Sequence, residues 1–194
     1  MKINLKKLLI QLAIPLATGG IATVLSGGMD TYKTVSQPPL SPPGWVFPIV
    51  WTILYLLMGY AAYRVITRDT PRENRKKAML FYGIQLFLNF LWPILFFRFE
   101  AFWLAFFVLL ALWVFIYLTM HLFSQIDETA ESLLIPYLLW VTFAGYLILG
   151  VALLNLKSPL HGRGLFLQFF YKNHPGNFQQ LRHQFRVILP FLAF

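Results

Sequence analysis

Tryptophan, tyrosine and amide side chains recur at helical spacing in three apolar stretches of the sequence. In the first stretch, Trp51, Tyr55 and Gly59 are four residues apart and share one helical face. The other two faces carry Gln85, Asn89, Trp92 and Phe96, and Tyr137, Trp140 and Ala144. Aromatic rings on such faces can stack on a flat apolar molecule, and the amides can orient its polar edge. Hydrogen bonding between helices would equally explain the two amides, because an amide inside an apolar span needs a partner.

A proline-dense loop directly precedes the first of these faces. Residues 36–44 read SQPPLSPPG, and each of Pro38, Pro39, Pro42 and Pro43 fixes its φ and lacks an N–H donor. The residues that precede the prolines are biased toward extended geometry. The loop is therefore predicted to be stiff and to cap the aromatic helix that follows, as the lid of a pocket for a flat apolar ligand.

The residue types exclude several other chemistries. The chain has no Cys, so disulfides and thiolate metal sites are impossible. We recognise no metal-ligand cluster, no Ser-His-Asp set and no pair of buried carboxylates in the sequence, and we expect neither a metal nor a cofactor. The net charge of +9 comes from Lys and Arg beside apolar stretches and in the C-terminal tail. Because these residues form no basic DNA- or RNA-binding motif, no nucleic-acid partner is expected.

Composition indicates that the aromatic faces lie in a membrane. Of the 194 residues, 58% are hydrophobic and 12% are charged, where globular chains average roughly 25% charged residues. Five apolar runs reach about 18 residues or more, which is long enough to cross a bilayer. The predicted fold is an all-α integral membrane protein, a bundle of five transmembrane helices. Their predicted bounds are about Leu8–Ser26, Gly44–Val65, Ala78–Phe97, Phe102–Phe123 and Ser132–Asn155.

Several local features of the spans are also predicted. Gly19, Thr23 and Gly27 recur at four-residue spacing in the first span, which favours the close approach of another helix. Pro93 predicts a bend in the third span. The fourth span is rich in Phe and Leu and is predicted to face lipid. The segment 64–77 is predicted to be a basic loop.

The distribution of Lys and Arg predicts the domain organisation and the orientation. Residues 1–156 form the predicted membrane domain, and residues 157–194 form a basic, aromatic extension without a defined fold. Nine Lys and Arg residues lie in the N-terminal segment and the segment 64–77, against one in each loop on the other side. Since basic loops stay cytoplasmic, the N-terminus is predicted to be inside and the proline-rich loop outside. The expected location is a bacterial plasma membrane.

Three sequence blocks resemble the tryptophan-rich sensory protein family, also called the translocator protein, TspO or peripheral benzodiazepine receptor family. They are QPPLSPPGWVFPIVWTILYLLMGYAAY, QLFLNFLWPILFF and LLIPYLLWVTFAGYLILGVALLN. The resemblance covers about residues 5–155. It implies a five-helix membrane bundle, often a homodimer, that binds porphyrins such as protoporphyrin IX and synthetic isoquinoline or benzodiazepine ligands. Members of the family are described as sensors or transporters of tetrapyrroles.

The resemblance also implies which residues line the ligand site. The matching positions are Tyr32, Pro42, Pro43, Trp51, Asn89, Trp92, Trp140, Phe143 and Ala144. Tyr55 joins them because it shares the helical face of Trp51. Trp51 and Trp140 match two positions that are tied to porphyrin chemistry in bacterial relatives.

The sequence departs from the family pattern at a few positions. Thr31 stands where many members have Trp, and Leu147 and Ile148 replace a Leu-Asn pair, which removes an amide. No Lys or Arg follows Tyr146 at the spacing of a cholesterol motif, so cholesterol recognition is not expected.

Three functions are compatible with these residues. The preferred one is a membrane receptor or sensor for a planar tetrapyrrole. A porphyrin-degrading enzyme would need light or oxygen acting through the porphyrin, with Trp51 or Trp140 as redox partners. An ion-coupled transporter usually keeps an ionisable group within the membrane, and none of the five predicted spans has one near its centre. Passive passage of small apolar ligands stays open.

Overall fold

The described part of the chain is built from helices and the turns that connect them. A computed structural model describes residues 4–28 and 30–155, and the predicted C-terminal extension, 157–194, lies outside this range. The five long helices are α1 (Leu5–Ser26), α3 (Val46–Thr67), α4 (Arg72–Pro93), α5 (Phe102–Ser124) and α7 (Ile135–Leu154). Two short helices, α2 (Asp30–Thr34) and α6 (Glu128–Ser132), lie in connections, and a π-helical segment (Ile94–Arg98) continues α4.

Five helical segments are long and apolar enough to cross a membrane. They are Leu5–Ser26, Val46–Thr67, Arg72–Arg98, Phe102–Ser124 and Glu128–Leu154. Large apolar side chains cover their outward faces; Val24 is 79% exposed and Leu139 is 64% exposed. Surfaces of that kind are stable in lipid, where apolar side chains lose nothing by exposure. The predicted all-α bundle of five transmembrane helices is therefore confirmed.

The helices extend further at one end of the bundle than the hydropathy pattern predicts. α3 continues to Thr67 and α4 begins at Arg72, so the loop predicted over 64–77 is wrong and is reduced to residues 68–71. Arg, Lys and Glu form helices as readily as apolar residues do. The hydropathy pattern therefore predicts which part of a helix lies in the membrane, but it does not predict the residue at which the helix ends. We call this end of the bundle the basic end, and the opposite end, which carries residues 36–44, the loop end.

A π-helical turn follows Pro93, where the sequence predicts a bend. The amide of Phe99 donates to the carbonyl of Ile94 at 3.2 Å, and the amide of Ala101 donates to the carbonyl of Leu95 at 3.0 Å. Proline has no N–H to continue the regular ladder, and the wider turn re-pairs the backbone groups. Phe96 remains buried within it.

Small residues allow α1 to lie directly against α3. Gly19 of the predicted stripe is buried, as is Ala22, whereas Thr23 is exposed. Gly59 of α3 is so close to α1 that an added Cβ would lie 2.5 Å from the carbonyl oxygen of Gln11. Gly27, which belongs to the predicted stripe, instead ends α1 with a left-handed φ of 79°. That conformation favours glycine because it has no Cβ.

The fourth span is not only a lipid-facing scaffold. α5 packs against both α4 and α7, and one of its faces is buried through Ala105, Leu109, Leu112 and Ile116. The prediction that this span faces lipid is therefore correct for one face and wrong for the other. The residues on the two faces are equally apolar, so the sequence could not distinguish them.

A buried carboxylate holds the basic end together. Asp127, whose side chain is 1% exposed, accepts hydrogen bonds from Arg64 Nε and Nη2 at 3.0 Å each and a further one from Arg68. It also caps α6 by accepting from the amide of Ala130 at 3.0 Å. Burial opposes ionisation, but these four donors outweigh it and keep the pKa of Asp127 below its usual value. The charged carboxylate thus ties the end of α3 to the start of α6.

Replacing Asp127 with Ala should lower the free energy of unfolding by about 3 kcal/mol, because breaking a buried ion pair strands the remaining charge. A carboxyl with a depressed pKa stabilises the fold above its unfolded pKa and loses that effect as the pH falls toward its folded pKa. The difference between wild type and variant should therefore be present at pH 7 and shrink below about pH 4. Unfolding in mixed micelles, followed by tryptophan fluorescence, measures both quantities.

The control for this experiment is Asp69→Ala, which removes an exposed carboxylate from the neighbouring turn. A surface change of this kind should stay within about 0.5 kcal/mol of wild type. Equal stability of the two variants would contradict the role assigned to Asp127.

Candidate ligand-binding site

Aromatic rings from three helices meet in the half of the bundle that is nearer the loop end. Trp51 of α3 is at the centre, with ring centroids 5.5 Å from Tyr55, 5.9 Å from Trp92 of α4 and 6.2 Å from Tyr137 of α7. The planes of Trp51 and Trp92 are inclined by 31°, and Tyr137 presents its edge to Trp51 at 70°. Three residues predicted for the site therefore form one contiguous ring surface, and Tyr137 completes it.

A second group of rings surrounds Phe47, one helical turn before Trp51. Its ring centroid lies 5.9 Å from Trp140 and 5.1 Å from Tyr32, and Trp140 in turn lies 5.7 Å from Phe143. Trp140, Tyr32 and Phe143 were predicted for the site, whereas Phe47 was not. Its four-residue spacing from Trp51 was the signal that could have identified it.

The two buried amides are engaged in a chain of hydrogen bonds that links three helices. Tyr55 donates to Asn89 Oδ1 at 3.0 Å, Asn89 Nδ2 donates to the hydroxyl of Tyr137 at 2.6 Å, and that hydroxyl donates to Gln85 Oε1 at 2.9 Å. Gln85 Nε2 ends the chain with a contact of 3.8 Å to Met58 Sδ. Interhelical bonding thus accounts for both amides. A ligand could use the second N–H and the second lone pair of Asn89.

Tyr137 connects more of this region than its position in the sequence predicts. It is fully buried, and its hydroxyl joins Asn89 to Gln85 while its ring touches Trp51. The helical face that it shares with Trp140 was recognised, but the sequence alone did not indicate which residues the hydroxyl would meet.

Two indole N–H groups in this region have no hydrogen-bond partner within the described residues. They are Nε1 of Trp92 and Nε1 of Trp140, and both atoms are buried. An indole nitrogen only donates, and a buried donor without a partner costs roughly 1–3 kcal/mol. Both are therefore available to a hydrogen-bond acceptor on a bound ligand.

The proline-rich loop is fastened to the last three turns of α7 and to the residue that ends it. Asn155 accepts from the amide of Ser36 at 3.0 Å and donates to the carbonyl of the same residue at 2.9 Å. Tyr146 donates to the carbonyl of Pro39 at 2.9 Å. Pro38 lies so close to Gly150 that an added Cβ there would be 2.6 Å from the proline ring. These contacts hold the loop against α7, and its predicted role as the lid of a pocket over the helix that follows it, α3, stays a prediction.

Inside the loop, side chains bond to backbone carbonyls. Tyr32 donates to the carbonyl of Pro42 at 2.6 Å, and Ser41 donates to that of Pro38 at 2.8 Å. Burial raises the pKa of Tyr32, so its hydroxyl keeps the proton that it donates. Leu40 has a left-handed φ of 64°, a conformation that the turn imposes on a side chain that rarely adopts it.

The predicted site residues are therefore not all equivalent. Pro43 is exposed, and its carbonyl accepts from the amide of Val46 at the start of α3. Its contribution is thus to the geometry of the helix entry. Ala144 is buried on the face of α7 that carries Trp140.

Helix α7 meets the other site helices through long side chains. It packs closely on α5 and reaches α4 through the hydroxyl of Tyr137 and α3 through the ring contacts of Tyr137 and Trp140. Side chains, and not close backbone packing, therefore join α7 to α3 and α4. No group of three or more His, Asp or Glu residues that could hold a metal occurs in residues 4–28 and 30–155.

Gly19→Ala should disrupt the hydrogen-bond chain from the outside. A Cβ at Gly19 would overlap the ring of Tyr55, so that ring must move and its bond to Asn89 must lengthen or break. Overpacking of this kind lowers the free energy of unfolding by about 1–3 kcal/mol. Unfolding in mixed micelles provides the measurement.

The adjacent Gly20 supplies a matched control, because a Cβ there meets nothing within 4 Å. Gly20→Ala should be neutral or more stable by up to about 1 kcal/mol, from helix propensity. Equal stability of the two variants would contradict the prediction that a Cβ at Gly19 disturbs the ring of Tyr55.

Comparison with known proteins places these features in a family context. A model of the TspO/MBR family matches residues 10–154. The tryptophan-rich protein TspO of Chlorobaculum tepidum is 38% identical over 124 residues, which is 64% of this chain and 78% of that protein. The tryptophan-rich sensory protein of Cereibacter sphaeroides is 39% identical over 130 residues, 67% of this chain and 80% of its own length. The translocator protein of Ovis aries is 32% identical over 130 residues, 66% of this chain and 76% of its own.

Proposed function

The chain belongs to the TspO/MBR family, and from this premise we propose that it is a membrane receptor for a planar tetrapyrrole of the protoporphyrin IX type. It is a multi-pass protein of the lipid bilayer, with five helices of spanning length. Two relatives carry the names tryptophan-rich sensory protein and translocator protein, and a ligand-binding receptor is consistent with both names.

The observation that carries this proposal is the ring surface formed by Trp51, Trp92 and Tyr137 from three different helices. A porphyrin is a wide, flat aromatic ligand, and each ring that stacks on it contributes roughly 0.5–1.5 kcal/mol beyond burial. The group around Phe47 and Trp140 extends the aromatic surface toward the loop. Ligands of this kind are bound mainly by apolar and aromatic walls with a few polar contacts.

Polar contacts in the proposed complex are made at two levels of the bundle, among the buried rings and at the loop end. The N–H groups of Trp92 and Trp140 can donate to acceptors on the ligand. The carboxylates of a porphyrin remain near water, at the loop end, where Arg98 lies exposed. One Nη of Arg98 donates to the carbonyl of Leu25 at 3.2 Å, and a guanidinium has further N–H donors for a carboxylate.

The packing toward the basic end favours a receptor over a passage through the bundle. Beyond Gln85 the interior is filled by Ala61, Ala62, Val65 and Phe123, each with no exposed surface. The Asp127 ion cluster follows at the end itself. A tetrapyrrole could cross this region only if the helices separated, which would break the buried ion pairs.

Titration of the detergent-solubilised protein with protoporphyrin IX should quench tryptophan fluorescence in a saturable manner. Trp140→Phe should weaken binding about fivefold, because a smaller ring without an N–H replaces the indole and about 1 kcal/mol is lost. Trp113→Phe is the matched control, since Trp113 bonds to Thr142 at 2.9 Å and stacks on Tyr117, away from the ring surface. The control should bind like the wild type.

Absence of saturable quenching in the wild-type protein would contradict the receptor proposal. Equal losses in the Trp140 and Trp113 variants would show that quenching is non-specific.

We also propose that the N-terminus is cytoplasmic, that the protein resides in a bacterial plasma membrane and that it forms a homodimer. The orientation is supported by the basic residues that the fold gathers at one end. The amide of Asn4 donates to the hydroxyl of Tyr63 at 3.0 Å, which brings the basic start of α1 beside the end of α3. Bacterial relatives support the location, and the resemblance to the family supports the dimer.

The absence of cysteine makes the orientation directly testable. With a single cysteine at Ser41 in the loop, intact bacterial cells should be labelled by a membrane-impermeant maleimide. With a single cysteine at Asn74, an exposed position at the basic end, labelling should require permeabilised cells. The reverse pattern would overturn the proposed orientation.

A further inference from the structure

A basic pair and a gap in the apolar surface lie on one outward stripe of α4. Arg72 and Lys76 are one turn apart at the basic end, and Leu80, Gly83 and Phe87 continue the stripe at spacings of four, three and four residues. All five are exposed. We propose that this α4 stripe binds one anionic phospholipid, with its phosphate on Arg72 and Lys76 and one acyl chain in the gap at Gly83. The proposal is independent of the porphyrin site.

The gap is formed by a glycine between two protruding side chains. A Cβ added to Gly83 would meet nothing within 4 Å, whereas Leu80 is 61% exposed and Phe87 is 60% exposed. The two side chains start about 10 Å apart along the helix axis. The result is a notch in the outward surface of α4 between two apolar side chains, and this notch is the proposed position of the acyl chain.

The charged part of the stripe lies at the depth of lipid head groups. Arg72 is the first residue of α4, and Lys76 lies about 10 Å along the axis from Gly83. The N-terminus of a helix carries a partial positive charge, and the N-cap Pro71 supplies no side-chain hydrogen bond to it. Lys76 has only a loose contact of 3.8 Å with Glu73, and both side chains are mostly exposed. The helix N-terminus, Arg72 and Lys76 would all interact favourably with a phosphate group.

The charge around the basic end is uneven, which points to an anionic head group on this side. α1 packs against α4 and brings Lys6 and Lys7 to the same end. The connection around α6 instead carries Glu128 and Glu131, with no Lys or Arg between residues 124 and 135. The positive-inside rule requires basic residues in the loop but does not require them on one flank. Clusters of Lys and Arg beside a span attract anionic lipid at about 1 kcal/mol each.

Native mass spectrometry of the full chain in detergent tests the head-group contact. The protein is titrated with dioleoylphosphatidylglycerol or dioleoylphosphatidylcholine, and the affinity of the first bound lipid is compared. Wild type should prefer the phosphatidylglycerol. Arg72→Gln with Lys76→Gln should weaken phosphatidylglycerol binding about 25-fold, or about fivefold per cation, and should weaken phosphatidylcholine binding less, because the choline cation of that head group offsets the attraction of its phosphate. Exchanging the two cations, Arg72→Lys with Lys76→Arg, should restore the preference.

Gly83→Leu tests the acyl notch, because a Cβ at this position meets nothing within 4 Å and the longer side chain would occupy the space between Leu80 and Phe87. It should weaken the first site for both lipids at least about fivefold. Gly20→Leu is the matched control, an equally open glycine on α1, and should change neither affinity. Porphyrin quenching should be unaffected in every variant, which separates this proposal from the receptor proposal.

Three results would overturn the lipid site. One is a wild-type protein without a preference for phosphatidylglycerol, and another is unchanged binding in the Arg72 and Lys76 variant. The third is a Gly83→Leu protein that changes from dimer to monomer with lipid affinity intact, since the notch would then belong to a second copy of the chain.

Discussion

The absence of water inside a bilayer sets the constraint on which this structure depends. Gln85 and Asn89 stand in the middle of an apolar span, where an amide without a partner is costly. Their partners are the hydroxyls of Tyr55 and Tyr137, which come from helices on either side of α4. Since these bonds join α4 to both α3 and α7, they help to fix how the three helices face one another. The rings attached to those hydroxyls are thereby brought into contact with Trp51.

The two ends of the bundle are held by different interactions. At the loop end the partners are neutral: Asn155 and Tyr146 bind the backbone of the proline-rich loop. At the basic end the partners are charged, and Asp127 joins α3 to α6 through Arg64 and Arg68. An ion cluster closes one end firmly, whereas a loop held by a few hydrogen bonds is the easier segment to displace. In the proposed receptor, the ligand therefore enters from the loop end.

The aromatic rings and the amides perform complementary tasks in such a receptor. Stacking on Trp51 and Trp92 supplies affinity for any flat apolar molecule and little discrimination. The hydrogen-bond chain occupies most of the polar groups in this region. Discrimination between ligands therefore depends on the remaining ones, which are the second N–H and second lone pair of Asn89 and the indole N–H groups of Trp92 and Trp140. A site of this composition suits an aromatic ligand with hydrogen-bond acceptors at its edge.

Much of this protein follows from the sequence alone. Apolar runs of spanning length determine the five-helix membrane fold, and the three motif blocks determine the family, because both are local patterns that survive without knowledge of contacts. The spacing of Trp51, Tyr55 and Asn89 also identified faces that the structure brings together. Only the tertiary structure decided the rest. Asp127 meets Arg64 from 63 positions away, and Tyr137 selects its partners across two helix interfaces. In a uniformly apolar chain, periodicity cannot tell a face that meets another helix from one that meets lipid, since lipid and protein offer an apolar side chain nearly the same surroundings.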